Sequence, residues 1–143
     1  MIITRPIARI TLIVLVVSLA ACSGLPRPEA SSIGLSGGEW QLRVLGGSPV
    51  DERDARVPTL RFDAEQVSGS DGCNRISGSY SSDGQRISFG QMTSTRMACM
   101  DGMALAQAYT AALTITQSYC LDGEELVLYD GTGQALLRFV RGD

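Results

Sequence analysis

Residues 75–89 read Arg75-Ile-Ser-Gly-Ser-Tyr-Ser-Ser-Asp-Gly-Gln-Arg-Ile-Ser-Phe89, two apolar–polar alternations joined by Asp83-Gly84. Ile76 and Tyr80 fall on one side of the first alternation, and arginine and serines fall on the other. An Asp-Gly pair between such stretches favours a tight hairpin, because both residues tolerate positive φ angles. The segment therefore predicts two antiparallel strands with one buried face and one solvent-exposed face.

The same alternation recurs on both sides of this hairpin. Residues 40–44 and 60–62 alternate before it, and residues 119–121, 125–129 and 135–139 alternate after it. The later stretches are separated by further Asp-Gly pairs, as expected for consecutive hairpins. These segments predict an antiparallel sheet with its apolar side chains on one face.

One segment, Met103 to Thr116, breaks the period of two. Apolar residues recur there at helical spacing, and Asp101 is the predicted N-cap. The predicted apolar stripe consists of Leu105, Ala108, Tyr109, Ala112 and Leu113. The predicted fold class is thus α+β and β-dominant: a strongly curved, barrel-like antiparallel sheet of about seven or eight short strands with one amphipathic helix packed on it.

Residues 1–21 have the pattern of a lipoprotein signal peptide. Arg5 and Arg9 precede an uncharged apolar run over residues 10–20, which is too short to span a bilayer. The run ends in Leu19-Ala-Ala-Cys22, which resembles the bacterial lipobox. We expect cleavage before Cys22 and a lipid on its sulfur. The alternative is an ordinary signal peptide with a chance cysteine.

Residues 22–38 are interpreted as the lipidated cysteine and a flexible tether, because Gly, Ser and Pro dominate them. Residues 39–143 are the predicted folded domain. Several acyl chains, at about 0.8 kcal/mol per buried methylene, anchor a protein firmly. By resemblance to enteric sorting, Ser23 after the cysteine favours the outer membrane, with the domain facing the periplasm.

The charge pattern excludes several classes of function. The chain has 12 basic and 15 acidic residues and no histidine. No basic stripe is present, so nucleic acid is not an expected partner. The usual general base and the commonest metal ligand are missing, and we predict no enzyme activity, no cofactor and no metal. Asp51, Glu52 and Asp54 lack the spacing of a calcium loop and are predicted to form a solvated loop.

Two motifs, Gly72-Cys-Asn-Arg75 and Thr95-Arg-Met-Ala-Cys99, together with Trp40-Gln-Leu42 and Leu126-Val-Leu-Tyr-Asp130, resemble the META domain or HslJ-like family. The resemblance covers essentially residues 39–139. It implies a barrel-like antiparallel structure with one helix, in secreted proteins and lipoproteins loosely linked to heat shock, antibiotic tolerance and motility or secretion. It brings no established catalytic residues. Relatives usually carry a Glu where this chain has Ala106.

The resemblance places Cys73 and Cys99 in matching positions and so implies a disulfide between them. The alternative is two buried free thiols packed as small apolar groups. A redox catalyst is disfavoured because the chain has no Cys-x-x-Cys. Once Cys22 carries lipid, one of the other three cysteines must be left over, and Cys120 lies outside the motifs.

The remaining motif residues, Gly72, Asn74, Arg75, Thr95 and Arg96, are interpreted as structural. In this interpretation Asn74 holds an Asx-type turn, and Arg75 pairs with a carboxylate or a carbonyl. The alternative is a polar surface site, and Arg96 has the same two interpretations.

The first functional hypothesis is a non-enzymatic envelope lipoprotein that supports envelope integrity or stress tolerance. It would bind an unknown envelope protein through its sheet or an open end of the barrel. The alternatives are a lysozyme-inhibitor-like lipoprotein and a pilot for an outer-membrane secretion complex.

Overall fold

The computed structural model describes residues 34–53 and 56–142. The predicted signal peptide, Cys22, most of the tether and Asp54 lie outside these ranges. The strands and helix of the described residues are β1 Glu39–Leu45, β2 Ser48–Pro49, β3 Thr59–Asp63, β4 Gln66–Ser70, β5 Arg75–Asp83, β6 Arg86–Phe89, β7 Thr93–Ser94, α1 Met103–Ile115, β8 Ser118–Asp122, β9 Glu125–Tyr129 and β10 Ala135–Arg141.

The sheet closes on itself. The described strands form one antiparallel sheet of ten, in which the two-residue strands β2 and β7 flank β1 and β5. The other eight pair in the order β1-β3-β4-β5-β6-β8-β9-β10, and β10 pairs back with β1. This closed barrel confirms the predicted fold class. Closure gives each strand of the ring a partner on both sides, which removes the exposed edges of an open sheet.

Two of the predicted Asp-Gly hairpins have two-residue loops. Asp83 pairs with Arg86 between β5 and β6, and Asp122 pairs with Glu125 between β8 and β9. Gly84 has φ +58° and Gly123 has φ +61°. Because a side chain at such angles is strained, the glycines let the flanking strands keep their alternating register.

The barrel interior holds the apolar side chains of the alternating strands. Phe62 and Tyr80 pack edge to face with ring centroids 4.9 Å apart. The buried interior set is Leu35, Trp40, Leu42, Leu60, Phe62, Val67, Ile76, Ile87, Tyr109, Ala112, Leu113, Leu126, Leu128, Leu137 and Phe139. All but four members come from strands of the ring, so burial of one strand face stabilises the barrel.

Helix α1 contributes Tyr109, which is buried among the strands. The Tyr109 hydroxyl donates to Thr59 O at 3.1 Å, and its ring packs edge to face on Phe139. The helix contacts β6 and β10, which lie apart in the ring, and so it packs across the barrel. In the described part of the chain no helix is long and apolar enough to span a bilayer.

Two details of the helix prediction were wrong. The N-cap is Gly102, whose carbonyl accepts the N–H of Ala106 at 3.0 Å, and Asp101 is an exposed turn residue. The buried face is Ala106, Tyr109, Ala112 and Leu113, and Ala108 is exposed. The face is centred on Tyr109, which fills the barrel, so positions three before and four after it turn inward.

The folded domain begins before residue 39. Leu35 is buried, and its carbonyl accepts the indole N–H of Trp40 at 2.9 Å. The Arg141 guanidinium lies 4.6 Å from the centroid of the Trp40 ring and donates to Gly34 O at 3.1 Å. A buried indole N–H needs a hydrogen-bond acceptor, and Leu35 O supplies it. Gly34 and Leu35 are therefore part of the folded domain, although the Ser/Gly-rich composition of this stretch predicted a tether.

Candidate functional site

The Gly72–Arg75 motif is a tight turn organised by the buried side chain of Asp71. Asp71 Oδ1 accepts the N–H groups of Cys73 at 2.8 Å and Asn74 at 2.6 Å, and Asp71 Oδ2 accepts Asn74 Nδ2 at 3.3 Å. The residue holding the Asx-type turn is therefore Asp71, and the prediction of Asn74 in that role is wrong. Gly72 has φ +92°, which directs the chain around the Asp71 carboxylate.

Gly72 is also packed too closely for a side chain. A Cβ at this position would lie 2.7 Å from the carbonyl oxygen of Arg56. The positive φ and the close backbone contact both require glycine, which agrees with a structural role.

Asn74 and Arg75 connect this turn to the second motif. Asn74 Oδ1 accepts the N–H of Met97 at 2.8 Å. The Arg75 N–H donates to Thr95 Oγ1 at 3.0 Å, and the Thr95 N–H donates to Arg75 O at 3.0 Å. The two sequence motifs therefore meet in space, and Asn74 and Thr95 are the residues that join them.

The Cys73–Cys99 disulfide expected from the resemblance is present and closes the same junction. The two Cα atoms are 5.9 Å apart, across a sequence separation of 26 residues. The alternative of two free thiols is not what the structure contains. Cys120 is buried on β8, and no cysteine among the described residues is a free thiol. That finding differs from the expectation of one cysteine left over.

The guanidinium groups of Arg75 and Arg96 are not held as the sequence interpretation expected. Both residues are exposed, and among residues 34–53 and 56–142 neither side chain forms an ion pair. Glu39, a carboxylate that lines the same surface groove as Arg75, lies 4.0 Å from Arg61. The backbone of Arg75 is fixed while its side chain remains available, which favours the polar surface site for Arg75.

Arg75 lines a polar groove of about 660 Å³ on the outer face of β3, β4, β5 and β7. Glu39 also lines it, together with seven residues that carry hydroxyl groups. These are Thr59, Ser68, Ser70, Ser77, Thr93, Ser94 and Thr95. We call this surface the hydroxyl groove.

Strand register explains why these side chains lie together. Ser68 pairs with Arg61 on one side and Ser77 on the other, and Ser77 pairs with Thr93. Ser70 likewise pairs with Thr59 and Arg75. Directly opposed residues have Cβ atoms about 4.5–5.5 Å apart, so two rows of polar side chains cross the outer face. Within the first row, the hydroxyls of Ser77 and Thr93 are 3.0 Å apart.

The buried polar groups behind the groove are structural. Burial raises the pKa of the Tyr109 phenol well above its ordinary value, and the Asp71 carboxylate raises it further. The phenol therefore stays protonated and donates to Thr59 O, which holds a strand of the groove against the helix.

The other predicted sites have ordinary surroundings. Asp51 lies 3.3 Å from Arg53, and Glu52 lies 3.5 Å from Arg43, so both acids are in exposed ion pairs. Ala106 is buried on the inner face of α1. Within the described ranges, no group of three or more His, Cys, Asp or Glu residues is placed to hold a metal ion.

Sequence reasoning identified Arg75 and Thr95 but missed the hydroxyl groove as a unit. The available signal was the serine at every second position of residues 68–70 and 77–81, opposite the apolar face. Which of those serines become neighbours depends on which strands pair and in what register. The hydrophobic patterns of both strands and the turn between them set that register, so the sequence of one strand does not show it.

Comparisons with known proteins agree with the fold. A family model described as "META domain" matches residues 34–143. An NMR structure of a protein from Burkholderia xenovorans is similar, with TM-score 0.60 and 26% identity over 82% of this chain and 99% of that one. A second NMR structure has TM-score 0.59 and 25% identity, over 74% of this chain and 91% of that one.

A crystal structure of a DUF4847 family protein from Bacteroides vulgatus has TM-score 0.60 and 16% identity, over 76% of this chain and 96% of that one, and shows the shared fold alone. No curated protein matches the chain. The family match covers most of the sequence and includes both motifs that the disulfide joins. The chain therefore belongs to the META domain family.

Proposed function

We propose that this chain is a non-enzymatic, lipid-anchored envelope protein that supports envelope integrity or tolerance of stress such as heat or antibiotics. In this proposal it binds another envelope protein in the hydroxyl groove. Membership of the META domain family, the lipobox-like leader and the polar groove support it.

The observation that carries the proposal is the state of Arg75. Its backbone is locked by two hydrogen bonds to Thr95, and its guanidinium is exposed beside a row of hydroxyls. A fixed backbone reduces the ordering that binding requires. Guanidinium binds carboxylate through two parallel hydrogen bonds, and hydroxyls donate or accept as needed. The partner we propose is a protein segment with at least one acidic side chain.

Location follows from the proposed lipid on Cys22. Anchoring in the outer membrane, facing the periplasm, would confine the barrel to the surface where its partner resides. Confinement to one membrane surface raises the effective concentration of the two proteins. A modest affinity of the groove for its partner then gives sufficient occupancy.

Site-specific photo-crosslinking in cells tests this proposal. A photoreactive residue at Ser77 lies inside the groove, and the same residue at Ser88, exposed on β6, is the matched control. We expect a specific envelope protein to be captured from Ser77 and not from Ser88. Identical capture from both positions, or none from Ser77, would contradict the proposal.

Side-chain variants sharpen the same experiment. Arg75→Ala removes the guanidinium that we propose binds the partner's carboxylate. Arg86→Ala is the control, because it removes an exposed arginine outside the groove. Hydrogen bonds to charged groups contribute about 1.5–3 kcal/mol, so Arg75→Ala should lower capture by roughly tenfold or more. Arg86→Ala should leave capture unchanged. Equal capture in both variants would exclude Arg75 as the binding residue.

Two assays separate this proposal from its alternatives. A lysozyme-inhibitor-like protein would block lysozyme at stoichiometric amounts, and a secretion pilot would be needed for secretin assembly. We expect no inhibition and normal secretin assembly in a deletion strain.

A further inference from the structure

Three methionines are exposed in one short segment. Met97 is 58% exposed, Met100 96% and Met103 43%. The other methionine of the described residues, Met92, is partly buried against the core. Methionine usually fills apolar interiors, so three exposed thioethers at intervals of three residues require another explanation. We call Met97, Met100 and Met103 the thioether triad.

The backbone that bears the triad is fixed at three points. The Met97 N–H donates to Asn74 Oδ1 at 2.8 Å, and Met97 O lies 3.5 Å from Cys73 Sγ. The next fixed point is Cys99, through its disulfide. The third is Gly102, whose carbonyl accepts the first hydrogen bond of α1.

A turn links the second methionine to the third. Residues 100–102 form a turn directly before α1, and Met103 is the first residue of the helix. Met100 lies three residues beyond Met97, and Met103 lies a further three residues along the chain. All three thioethers are therefore exposed within one segment of seven residues.

We propose that the thioether triad binds a soft monovalent metal ion, Cu(I) or its analogue Ag(I). Thioether sulfur is a neutral, polarisable donor that favours Cu(I) over harder ions. The chain has no histidine, and Cys73 and Cys99 are held in a disulfide, so imidazole and these two thiolates do not compete. Asp101, exposed between Met100 and Met103, supplies a negative charge near the ion.

This site is independent of the hydroxyl groove. None of the three methionines lines that groove, and none of the groove's side chains is a soft donor.

Methyl NMR of the full chain with an oxidised disulfide tests the site. The protein is labelled with ¹³C at the methionine methyl groups and titrated with Ag(I) nitrate in chloride-free buffer. We expect one equivalent of Ag(I) to shift the methyl resonances of the triad and to leave Met92 unchanged, because Met92 packs on the core.

Leucine variants give the matched comparison, since leucine keeps the volume and removes the sulfur. Met100→Leu should weaken Ag(I) affinity at least tenfold, and Met92→Leu should change it less than twofold. Met100 is 96% exposed, so its replacement leaves the fold intact, which the amide spectrum checks. No response to Ag(I), a response of fewer than three triad methyls, an equal response of Met92, or undiminished affinity in Met100→Leu would overturn the proposal.

Discussion

Removal of the Cys73–Cys99 disulfide should destabilise the barrel without changing its fold. The double variant Cys73→Ser/Cys99→Ser opens a loop of 26 residues in the unfolded chain. For that loop length the chain-entropy relation gives about 3.5 kcal/mol. For a domain of this size, such a loss lowers the unfolding midpoint by about 15 °C.

The reasoning depends on the contacts that remain in the native state. Asn74 Oδ1 still accepts from Met97, and Arg75 and Thr95 still exchange two hydrogen bonds across the same junction. The folded conformation is therefore held without the covalent bond. The effect falls on the unfolded chain, which becomes less restricted when the loop opens.

Two measurements on the same variant check the magnitude and its origin. Thermal unfolding followed by circular dichroism gives the midpoint, and urea unfolding gives the slope of the free energy of unfolding against urea. A more expanded unfolded chain predicts a steeper slope than that of the parent protein. A midpoint shift below about 3 °C, or an unchanged slope, would refute the assignment to the unfolded state.

Three further predictions concern single residues. Gly69→Ala should destabilise the barrel by roughly 1–3 kcal/mol because the new Cβ would overlap the backbone of Thr59. Gly131→Ala is the control and should cost less, because the nearest neighbour of its Cβ is a flexible glutamine side chain. Urea unfolding of both variants compares the two losses. Tyr109→Phe should lower the free energy of unfolding by about 0.5–1.5 kcal/mol because Thr59 O loses its donor, and no loss in urea unfolding would show that this bond contributes nothing. The pKa of Asp130 is lowered from its ordinary 3.8 by the hydroxyl of Thr132 and by backbone N–H groups. The ionised Asp130 carboxylate therefore stabilises the fold at pH values above the pKa it has in the unfolded chain, and this stabilisation is lost as pH falls through its pKa in the folded protein. The difference in free energy of unfolding between the parent and Asp130→Asn should shrink below about pH 4. A difference that stays constant with pH would contradict the lowered pKa.

The fold could be predicted from the sequence because its local signals agree with one another. Asp83-Gly84 and Asp122-Gly123 mark hairpins, and the alternation around them fixes which side chains face inward. These signals act over a few residues, so each strand can be identified without its neighbours. The helix could also be predicted locally, because its apolar residues recur at helical spacing and not at every second position.

The errors arose where a distant residue decides the local structure. Leu35 belongs to the barrel because the indole N–H of Trp40 needs an acceptor, which composition does not show. The buried face of α1 is set by insertion of Tyr109 into the barrel. The helix is capped at its N-terminus by the carbonyl of Gly102, which lies beside Cys73 and Cys99.

The candidate site was predictable only in part, again for reasons of distance. Arg75 and Thr95 stood out within motifs, whereas the hydroxyl groove depends on the register between β3, β4, β5 and β7. The triad was overlooked because exposure of a methionine cannot be read from an apolar residue type.

The intact mass of the protein extracted from membranes tests the account most directly, because the proposed place and role depend on a lipid at Cys22. We expect a chain that begins at Cys22 and is heavier than its polypeptide by a diacylglyceryl group and a further acyl chain. A chain that retains residues 1–21, or one that begins at or after Cys22 without added lipid, would contradict the proposed anchoring.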